Sequence, residues 1–600
     1  ALAGALLRAA PVPALPPQGE TRILPARTPL TFSQQSLWFL HTLDPGDTSA
    51  SEQFAIRLRG PLDPVALERA WRSVLKRHPV LTATFHVEGE QIWQVAGSVA
   101  SEMRHVPISD ESQLISIAEA ALREPFDLAR GPLVRPVLCR QSAESHVLLV
   151  TAQHIVADGL SVPVLQADLA RLYEAGTGDD APLAMNLVDR ASQPAWQEGL
   201  ATPQALDWWR QQLADVPPPA LQALVRPQTT ARLSRRVPFT LDAKLADGLR
   251  GLARAGNATP YMLLLAAFRV LLARLTGQPD VCIGTPMTLR DAPDLREVVG
   301  CLVNPVVLRV PVNLQQSFRE HLQAERAAAL ETFQYRTVPF SRVVEAVAPA
   351  RVLGVHPLFQ ILFSWEPAMP AITAMPGIGR TGSLEFDILS VPAARASWYD
   401  LECSLRDAGE GAALSGHFAW STGALEDWVA EQLPDRLRTL LADLLARPDV
   451  PLERLALLSA AERQRLLVEW NATAAPLPVE RTLHEWFLAQ AARTPDAIAV
   501  RAESGVWSYG ELAARSAELA AELARRGVSG RTVGIALGRS PELVLAVLAV
   551  LRAGGIVVPL DPAFPAARLQ FIASDAQLAL TLVLIDGKVA IAPLGATGSS

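Results

Sequence analysis

Two long interruptions in the apolar pattern constrain the fold of this chain more than any single motif. Residues 177–231 hold a Gly-Asp-Asp turn, scattered prolines and the run VPPPA, and residues 446–482 include a polar connector with prolines. Stretches rich in proline and glycine usually separate folded segments. The sequence therefore predicts three folded stretches, over residues 29–200, 201–448 and 483–600, with residues 1–28 and 449–482 as linkers.

Strands and helices alternate within each predicted stretch. Residues 54–60 read FAIRLRG, in which apolar and other side chains alternate before Gly60 and Pro61 end the run. Asp63 then stands as an N-cap with Pro64 at the first helical position, which predicts a helix that ends before Pro79. Thr259 and Pro260 open a second helix, rich in Leu and Ala, that ends near Gly277. This mixture predicts an α/β protein.

Composition excludes several classes of protein. Half of the 600 residues are apolar, which is enough to bury large cores, and the formal net charge of −7 comes without a basic block that could neutralise phosphates. We therefore expect no nucleic-acid partner. The longest apolar run, residues 543–551, is far shorter than the roughly 20 residues that a membrane span needs, so we expect a buried helix there and no membrane partner.

The four cysteines and the first residues bear on the protein's setting. Cys139, Cys282, Cys301 and Cys403 form no C-x-x-C pair and have no histidine pair at metal-binding spacing nearby. Reduced thiols in a cytoplasmic enzyme without a metal fit this pattern. The chain begins ALAGALLRAAPVPALPP, without Met or a secretory signal. We therefore expect it to be a segment of a longer protein.

One motif carries chemistry, QHIVADGLS at residues 153–161, directly after the apolar strand HVLLVTA. A histidine on a loop that leaves a buried strand can present its imidazole to a cleft as a general base. The Asp158-Gly159 turn that follows can aim backbone N–H groups at the same place. The alternative from these residues alone is a hydrogen-bonded loop histidine beside an ordinary turn.

The surrounding sequence decides between the two interpretations. From residue 30 to about 450 the chain resembles condensation domains of nonribosomal peptide synthetases, in several separate blocks that follow the family's order. These blocks are LTFSQQSLWFL (30–40), RHPVLTATF (77–85), EPFDLARGPLVRPVL (124–138), the motif at 153–161, IGTPMTLR with VGCLVNPVVLR (283–309), VPFSRVVEAV (338–347) and HPLFQILFSW (356–365).

The resemblance implies a fold and a reaction. Two halves like chloramphenicol acetyltransferase would form a V-shaped pseudo-dimer with a tunnel between them. An upstream donor carrier domain and a downstream acceptor carrier domain would deliver phosphopantetheine-bound thioesters from opposite ends, and the chain itself would bind no cofactor. The acceptor amine would attack the donor thioester, which makes the chain an amide-forming acyltransferase.

The resemblance also assigns roles to individual residues. His154 is the active-site histidine, which we expect to position the amine and to accept its proton late, and the backbone N–H of Gly159 is the candidate oxyanion donor. Asp158 would be structural, paired with Arg290 from the second half, so that Asp158→Ala would resemble a folding defect. Gln153, Ser161, Asp158 and Arg290 are the predicted structural residues of the site.

The chain departs from the family's pattern at several positions. Gln153 stands where the family usually has the first of two histidines, and Ser36 stands for the usual arginine of the opening block. Pro79 and Thr82 replace a common Glu and Arg, and Tyr335-Arg336-Thr337 replaces His-Gln-Asp. These differences bear on the subtype of the domain.

Residues 483 to about 577 resemble the beginning of an adenylation domain. The blocks are TLHEWFLAQAARTPDAIAV, WSYGELAARS and VLRAGGIVVPLDPAFPAARLQFIASDA. No phosphate-binding loop followed by Lys occurs before residue 600, so we expect an incomplete α/β subdomain without adenylation activity. The remainder of that adenylation domain is its expected partner.

Three alternatives to amide formation stay open at this point. An epimerisation domain shares the fold and the histidine loop but is not normally followed directly by an adenylation domain. A non-catalytic docking module is conceivable because of Gln153, although such a module would not need His154, Asp158, Gly159 and Arg290 together. An ester-forming relative would use a hydroxyl in place of the amine.

Overall fold

The computed structural model divides the chain into two compact units, Ala1–Glu469 and Trp470–Ser600, which are described separately. It describes residues 27–95, 97, 101–175, 199–216, 234–290, 295–349, 356–366, 380–381, 384–389, 391, 393, 396–475, 482–503 and 505–592. The predicted linker over residues 1–28 lies outside this set up to residue 26. At residues 27–28 a strand begins instead.

The first half of the larger unit is built on one six-stranded sheet and a smaller three-stranded sheet. Its elements are β1 (Arg27–Pro29), α1 (Phe32–Leu43), β2 (Ser51–Arg59), α2 (Pro64–Arg77), β3 (Thr84–Glu88), β4 (Gln91–Val95), β5 (Arg104–Pro107), α3 (Glu111–Arg123), β6 (Val134–Arg140), β7 (Ser145–Gln153) and α4 (Ser161–Ala175).

The second half is built on another six-stranded sheet. Its elements are α5 (Pro203–Gln212), β8 (Ser234–Leu241), α6 (Ala243–Ala255), α7 (Pro260–Thr276), β9 (Cys282–Thr288), β10 (Val303–Arg309), α8 (Phe318–Gln334), α9 (Phe340–Val347), β11 (Ile361–Glu366), β12 (Arg380–Thr381), β13 (Leu384–Leu389), β14 (Leu401–Asp407), β15 (Leu414–Ser421), α10 (Asp427–Ala430), α11 (Leu433–Ala446) and α12 (Ala460–Gln464).

The two six-stranded sheets are not made of consecutive strands. The first has the order β12-β13-β2-β7-β6-β5 and the second has the order β10-β9-β11-β14-β15-β8. Strand β13 therefore belongs to the first sheet, where Phe386 pairs with Leu58 and Ile388 pairs with Ile56. Phe386 is fully buried in the first core. The sequence boundary near residue 200 is thus crossed by a strand from the second stretch, a contact that no local pattern encodes.

Local signals set the ends of the predicted helices. The Asp63 side chain accepts hydrogen bonds from the N–H groups of Val65 and Ala66 at the start of α2. The Thr259 side chain caps α7 in the same way, and Gly277 ends that helix with φ of 71°, a conformation that favours glycine. Helix α7 is buried along almost its whole length, as its Leu- and Ala-rich sequence predicts.

The predicted linkers contain ordered structure at their edges. Strand β1 starts at Arg27 and pairs with β4, because its extended backbone finds the open edge of that hairpin. At the other end of the larger unit, Leu452 and Leu455 are buried in the core of the second half. The segment after residue 448 is therefore anchored before the chain leaves this unit, and α12 itself buries no residue.

The smaller unit is an α/β fold of its own. Its elements are α13 (Leu483–Arg493), β16 (Ile498–Ala502), β17 (Gly505–Ser508), α14 (Tyr509–Arg525), β18 (Thr532–Ala536), α15 (Pro541–Arg552), β19 (Ile556–Pro559), α16 (Ala566–Asp575), β20 (Leu580–Ile585) and β21 (Lys588–Ala592). Its main sheet has the order β19-β18-β20-β21, with β18 parallel to both neighbours. The apolar run at residues 543–551 lies in α15, as predicted.

Among the described residues, no single helix is long and apolar enough to cross a membrane. One pair of helices, Ala243–Ala255 and Pro260–Thr276, passes that test only when the two are taken together, across a bend of 102°.

Candidate active site

The candidate site lies where β7 ends. This strand is flanked by β2 and β6, and eight of its nine residues are buried, which accounts for its unbroken apolar sequence. The loop at residues 154–160 connects β7 to α4, which begins at Ser161. His154 is half-buried on this loop, and Gly159 is exposed.

The ring of His154 is held by the loop itself. Its Nδ1 lies 2.9 Å from the backbone carbonyl oxygen of Ala157. A carbonyl can only accept, so this bond requires Nδ1 to carry the proton, and the neutral imidazole then has its lone pair on Nε2. Among the described residues Nε2 has no hydrogen-bond partner. The arrangement leaves Nε2 available as a base.

Asp158 is a structural group in this geometry. Its carboxylate is fully buried and accepts from Arg290 at 2.6 Å, from the Leu302 N–H at 2.9 Å, and from the Ser161 N–H and hydroxyl at 3.0 and 2.9 Å. Four donors occupy both oxygens, and three of them remain if any one is lost. The side chain therefore fixes the loop and has no free acceptor for a substrate.

Arg290 ties the same loop to the second half of the domain. Besides Asp158, its guanidinium donates to the backbone carbonyl of Val298 at 3.0 Å and to that of Gly300 at 3.1 Å. Ser161 adds a second connection, because its hydroxyl accepts from the Gly300 N–H at 3.2 Å. The sequence-predicted residues Asp158, Ser161 and Arg290 are thus brought together across the two halves.

Gln153 lies in the position that is usually a histidine. Its side chain is buried, and Oε1 accepts a hydrogen bond from the Ile155 N–H at 2.6 Å. The main-chain N–H of His154 donates to the Ala50 carbonyl at 2.7 Å, in the loop before β2. Gln153 therefore supports the turn that carries His154, and this contact needs no titratable group.

The opening block supplies a residue that the sequence did not assign to the site. Gln34 is buried at the start of α1, and its Nε2 donates to the Ile155 carbonyl at 3.2 Å and to Gln94 at 2.7 Å. On the same turn, Ser33 donates to the Val303 carbonyl of the second half at 3.2 Å. The match of this block to the family was the only sequence signal for Gln34.

The Tyr335-Arg336-Thr337 departure is packed into the second half. The Asn304 amide donates to the Arg336 and Val338 carbonyls at 2.7 and 2.8 Å and accepts from the Phe340 N–H at 2.9 Å. The Tyr335 ring stacks on Trp208 with 4.4 Å between centroids. This turn is therefore well fixed without the family's usual side chains.

Other reactive groups near the loop are unsuited to chemistry. Cys301, next to Gly300, is buried, and its burial, together with the nearby Asp158 carboxylate, raises the pKa of its thiol to about 12. Such a thiol stays protonated and unreactive near neutral pH. Among the described residues, no group of three or more His, Cys, Asp or Glu side chains is placed to hold a metal ion.

Comparison with known proteins gives two family matches along the chain. The model of the condensation domain matches residues 26–467, and that of the AMP-binding enzyme matches residues 487–597. A linear gramicidin synthase of Brevibacillus parabrevis is 32% identical over 569 residues, which is 92% of this chain and 7% of that protein. Chondramide synthase of Chondromyces crocatus is 35% identical over 568 residues, which is 91% of this chain and 14% of that protein. The chain therefore spans only a small part of the length of either relative.

Solved structures agree with these matches. A holo four-domain nonribosomal peptide synthetase superposes with a TM-score of 0.76 at 23% identity, over 95% of this chain and 44% of that one, and supports the fold. The X-domain from teicoplanin biosynthesis is 26% identical and has a TM-score of 0.64, over 74% of this chain and all of that one. The mixed α/β fold predicted from the sequence is confirmed.

Proposed function

This chain belongs to the condensation-domain family of nonribosomal peptide synthetases, and from that premise we propose that it joins a carrier-bound acyl or peptidyl thioester to a carrier-bound amine. The observation that carries the proposal is the state of His154. Its Nδ1 is occupied by the Ala157 carbonyl, so that the lone pair is on Nε2, within a loop that both halves of the domain hold.

The substrates come on partners that this chain does not contain. Its match to synthases several times its length supports two carrier domains, one upstream that brings the donor and one downstream that brings the acceptor. Both substrates would be thioesters of the carriers' phosphopantetheine arms, and this chain would hold no cofactor of its own. Its task is to bring the two reacting groups together.

The reaction needs one bond formed, one broken and one proton moved. The acceptor nitrogen attacks the thioester carbonyl, and the tetrahedral intermediate then expels the donor thiolate. The His154 Nε2 accepts the ammonium proton as that intermediate forms and returns it to the leaving sulfur. An α-amino group with a pKa of about 8 is already partly neutral at pH 7, so the base acts late.

Proximity supplies the larger share of the rate in this proposal. Two tethered groups held in attack geometry are worth roughly 7–11 kcal/mol, whereas a positioned base contributes about 100- to 10,000-fold. The rigid anchoring of the loop by Asp158 and Arg290 serves this positioning. His154 would orient the amine through the same Nε2 that later accepts its proton.

Gly159 is the proposed oxyanion donor. It precedes α4 by two residues, at the positive end of that helix, and its N–H has no partner among the described residues. A Cβ placed on Gly159 would meet no atom within 4 Å, so the residue stands beside open space. An oxygen that gains negative charge there would be stabilised by a backbone donor.

The smaller unit has a supporting place in the proposal. It matches the AMP-binding family only over residues 487–597, and we propose that the remainder of the adenylation domain is its partner. Four free, buried cysteines fit a reaction that takes place in the cytoplasm.

The test is a transfer assay with separately purified carriers. A donor-loaded and an acceptor-loaded carrier are mixed with the chain, and intact mass reports product on the acceptor carrier. The wild type should transfer, and His154→Ala, checked for folding, should be slower by about a hundredfold or more. Equal rates for the two proteins would refute the role of His154.

A docking module is the second candidate. The structurally similar X-domain from teicoplanin biosynthesis has been solved in a complex with OxyB, which makes a recruiting role a specific alternative for a protein of this fold. If several donor and acceptor pairs give no product while the chain still binds carriers, this alternative replaces the enzyme proposal.

A further inference from the structure

Two glutamines from distant parts of the sequence grip the same residue beside the histidine. Gln153 accepts from the N–H of Ile155, and Gln34 donates to the carbonyl of Ile155. The two side chains thus hold the peptide units on either side of Ile155. We propose that Gln34 and Gln153 form an amide clamp whose purpose is to fix the ring of His154 for the reaction.

The clamp acts on His154 through the path of the loop. The Ile155 N–H belongs to the peptide unit that follows His154, so its orientation fixes the backbone of the histidine itself. The main-chain carbonyl of Gln153 also accepts from the Val156 N–H at 3.0 Å, and the Ile155 side chain is fully buried. Together these contacts deliver the Ala157 carbonyl to Nδ1 of His154.

Gln34 is itself held without freedom to turn. Both hydrogens of its Nε2 are used, one by Ile155 and one by Gln94, and its Oε1 accepts from the Thr31 N–H at 3.1 Å in a capping box. An isosteric carboxylate at position 34 would turn two attractive contacts into contacts between acceptors. Gln34→Glu is therefore the sharpest variant of the clamp.

The clamp also explains how the chain tolerates glutamine at position 153. The contact with the Ile155 N–H requires an acceptor but no charge, and either a glutamine oxygen or a ring nitrogen of histidine can supply one. Gln153→His should therefore keep the clamp, whereas Gln153→Leu removes the acceptor and leaves a buried N–H without a partner. Both glutamines are positioning residues, since they act through His154.

Two measurements test the clamp on the full chain. The first is the ¹⁵N spectrum of histidine-labelled protein, in which the His154 signals are assigned by their loss in His154→Ala and report which ring nitrogen carries the proton. The second is the carrier transfer rate. The inference deepens the proposed function and relies on it for the rate, whereas the spectrum tests the clamp independently of any activity.

The expected results differ between matched variants. Gln34→Glu and Gln153→Leu should lose the wild-type preference for a proton on Nδ1 and transfer about a hundredfold more slowly, because small displacements of reacting groups have effects of that size. Gln153→His should match the wild type within about threefold. The control is Gln35→Glu, at an exposed neighbour on the same helix turn that donates only to the Leu30 carbonyl, and it should change neither readout.

Other outcomes would overturn the inference. Wild-type His154 signals in folded Gln34→Glu and Gln153→Leu would show that the clamp does not set the ring. An equal change in Gln35→Glu would show a general effect of helix charge. If the wild type fails to transfer while the spectra change as expected, the clamp stands and the proposed function fails.

Discussion

Two buried arginine–carboxylate pairs in the larger unit use the same chemistry for different ends. Arg269 and Glu325 form a bidentate pair with no exposed surface, entirely inside the second half. Arg290 and Asp158 form a buried pair between the halves, at the loop of the candidate active site. Both guanidinium groups also donate to two backbone carbonyls, so neither arginine lacks partners.

The pairs differ in what each carboxylate retains without its arginine. Asp158 keeps the N–H groups of Leu302 and Ser161 and the Ser161 hydroxyl. Glu325 has no partner other than Arg269 among the described residues. A buried carboxylate without donors is strongly unfavourable, whereas one with three donors is tolerable. The first pair therefore supports the fold, and the second supports the geometry of one loop.

The largest effect should follow loss of the core arginine. We expect Arg269→Met to lower the free energy of unfolding by about 3–5 kcal/mol, because it leaves Glu325 charged and unpaired. Chemical denaturation of the purified chain measures it. The double variant Arg269→Met/Glu325→Leu should recover most of the loss, and failure to recover would show that packing, not the unpaired charge, causes it.

A second prediction concerns pH and the same core. His321 is fully buried, its ring nitrogens have no partner among the described residues, and burial lowers its pKa from 6.5 to about 4, although Glu325 acts in the opposite direction. The unfolded chain then binds a proton that the folded chain refuses. Stability should be complete above pH 6.5 and fall by on the order of 3 kcal/mol as the pH drops to 4.

Denaturation curves across this pH range, for wild type and His321→Phe, isolate that contribution. The difference between the two proteins should change with pH between 6.5 and 4 and be constant above it. A constant difference over the whole range would contradict the assignment to His321.

Loss of the site arginine should disturb the fold less. Arg290→Met should lower the free energy of unfolding by about 1–3 kcal/mol, less than Arg269→Met, because Asp158 keeps three donors. The two variants are compared in the same denaturation experiment. A larger loss for Arg290→Met would remove the distinction between the two pairs.

The smallest effect is expected at Gly159. Its Cβ would have open space, and its backbone is not in the left-handed region, so Gly159→Ala should change stability by less than about 0.5 kcal/mol and transfer by less than about threefold. The backbone N–H proposed as oxyanion donor survives this substitution. A large loss of transfer in a stable variant would mean that the space beside Gly159 is needed by a substrate.

Sequence reasoning found the chemical residues better than their supports. His154, Asp158 and Gly159 stand in one short motif, and Arg290 stands in a block that matches the family, so all four could be named without coordinates. The ends of α2 and α7 were predictable because Asp63, Pro64, Thr259 and Gly277 act on their immediate neighbours.

Contacts between distant segments were beyond sequence reasoning. Gln34 reaches Ile155 across 121 residues, and its local sequence specifies only a capping box. Strand β13 joins the first sheet from the second stretch of the chain, although its own pattern predicts only a strand. Arg269 and Glu325 each lie in helices whose local sequence gives no sign that the two charges meet. Such pairings depend on tertiary packing, which a single sequence does not encode locally.

The most direct test of the account is the transfer rate per folded molecule of wild type and Arg290→Met, with His154→Ala as the reference for a lost base. The account predicts that the wild type transfers, that folded Arg290→Met is slower by about a hundredfold, and that His154→Ala is at least as slow. Transfer at the wild-type rate by folded Arg290→Met, or none by the wild type, would contradict the claim that a loop held by both halves performs the reaction.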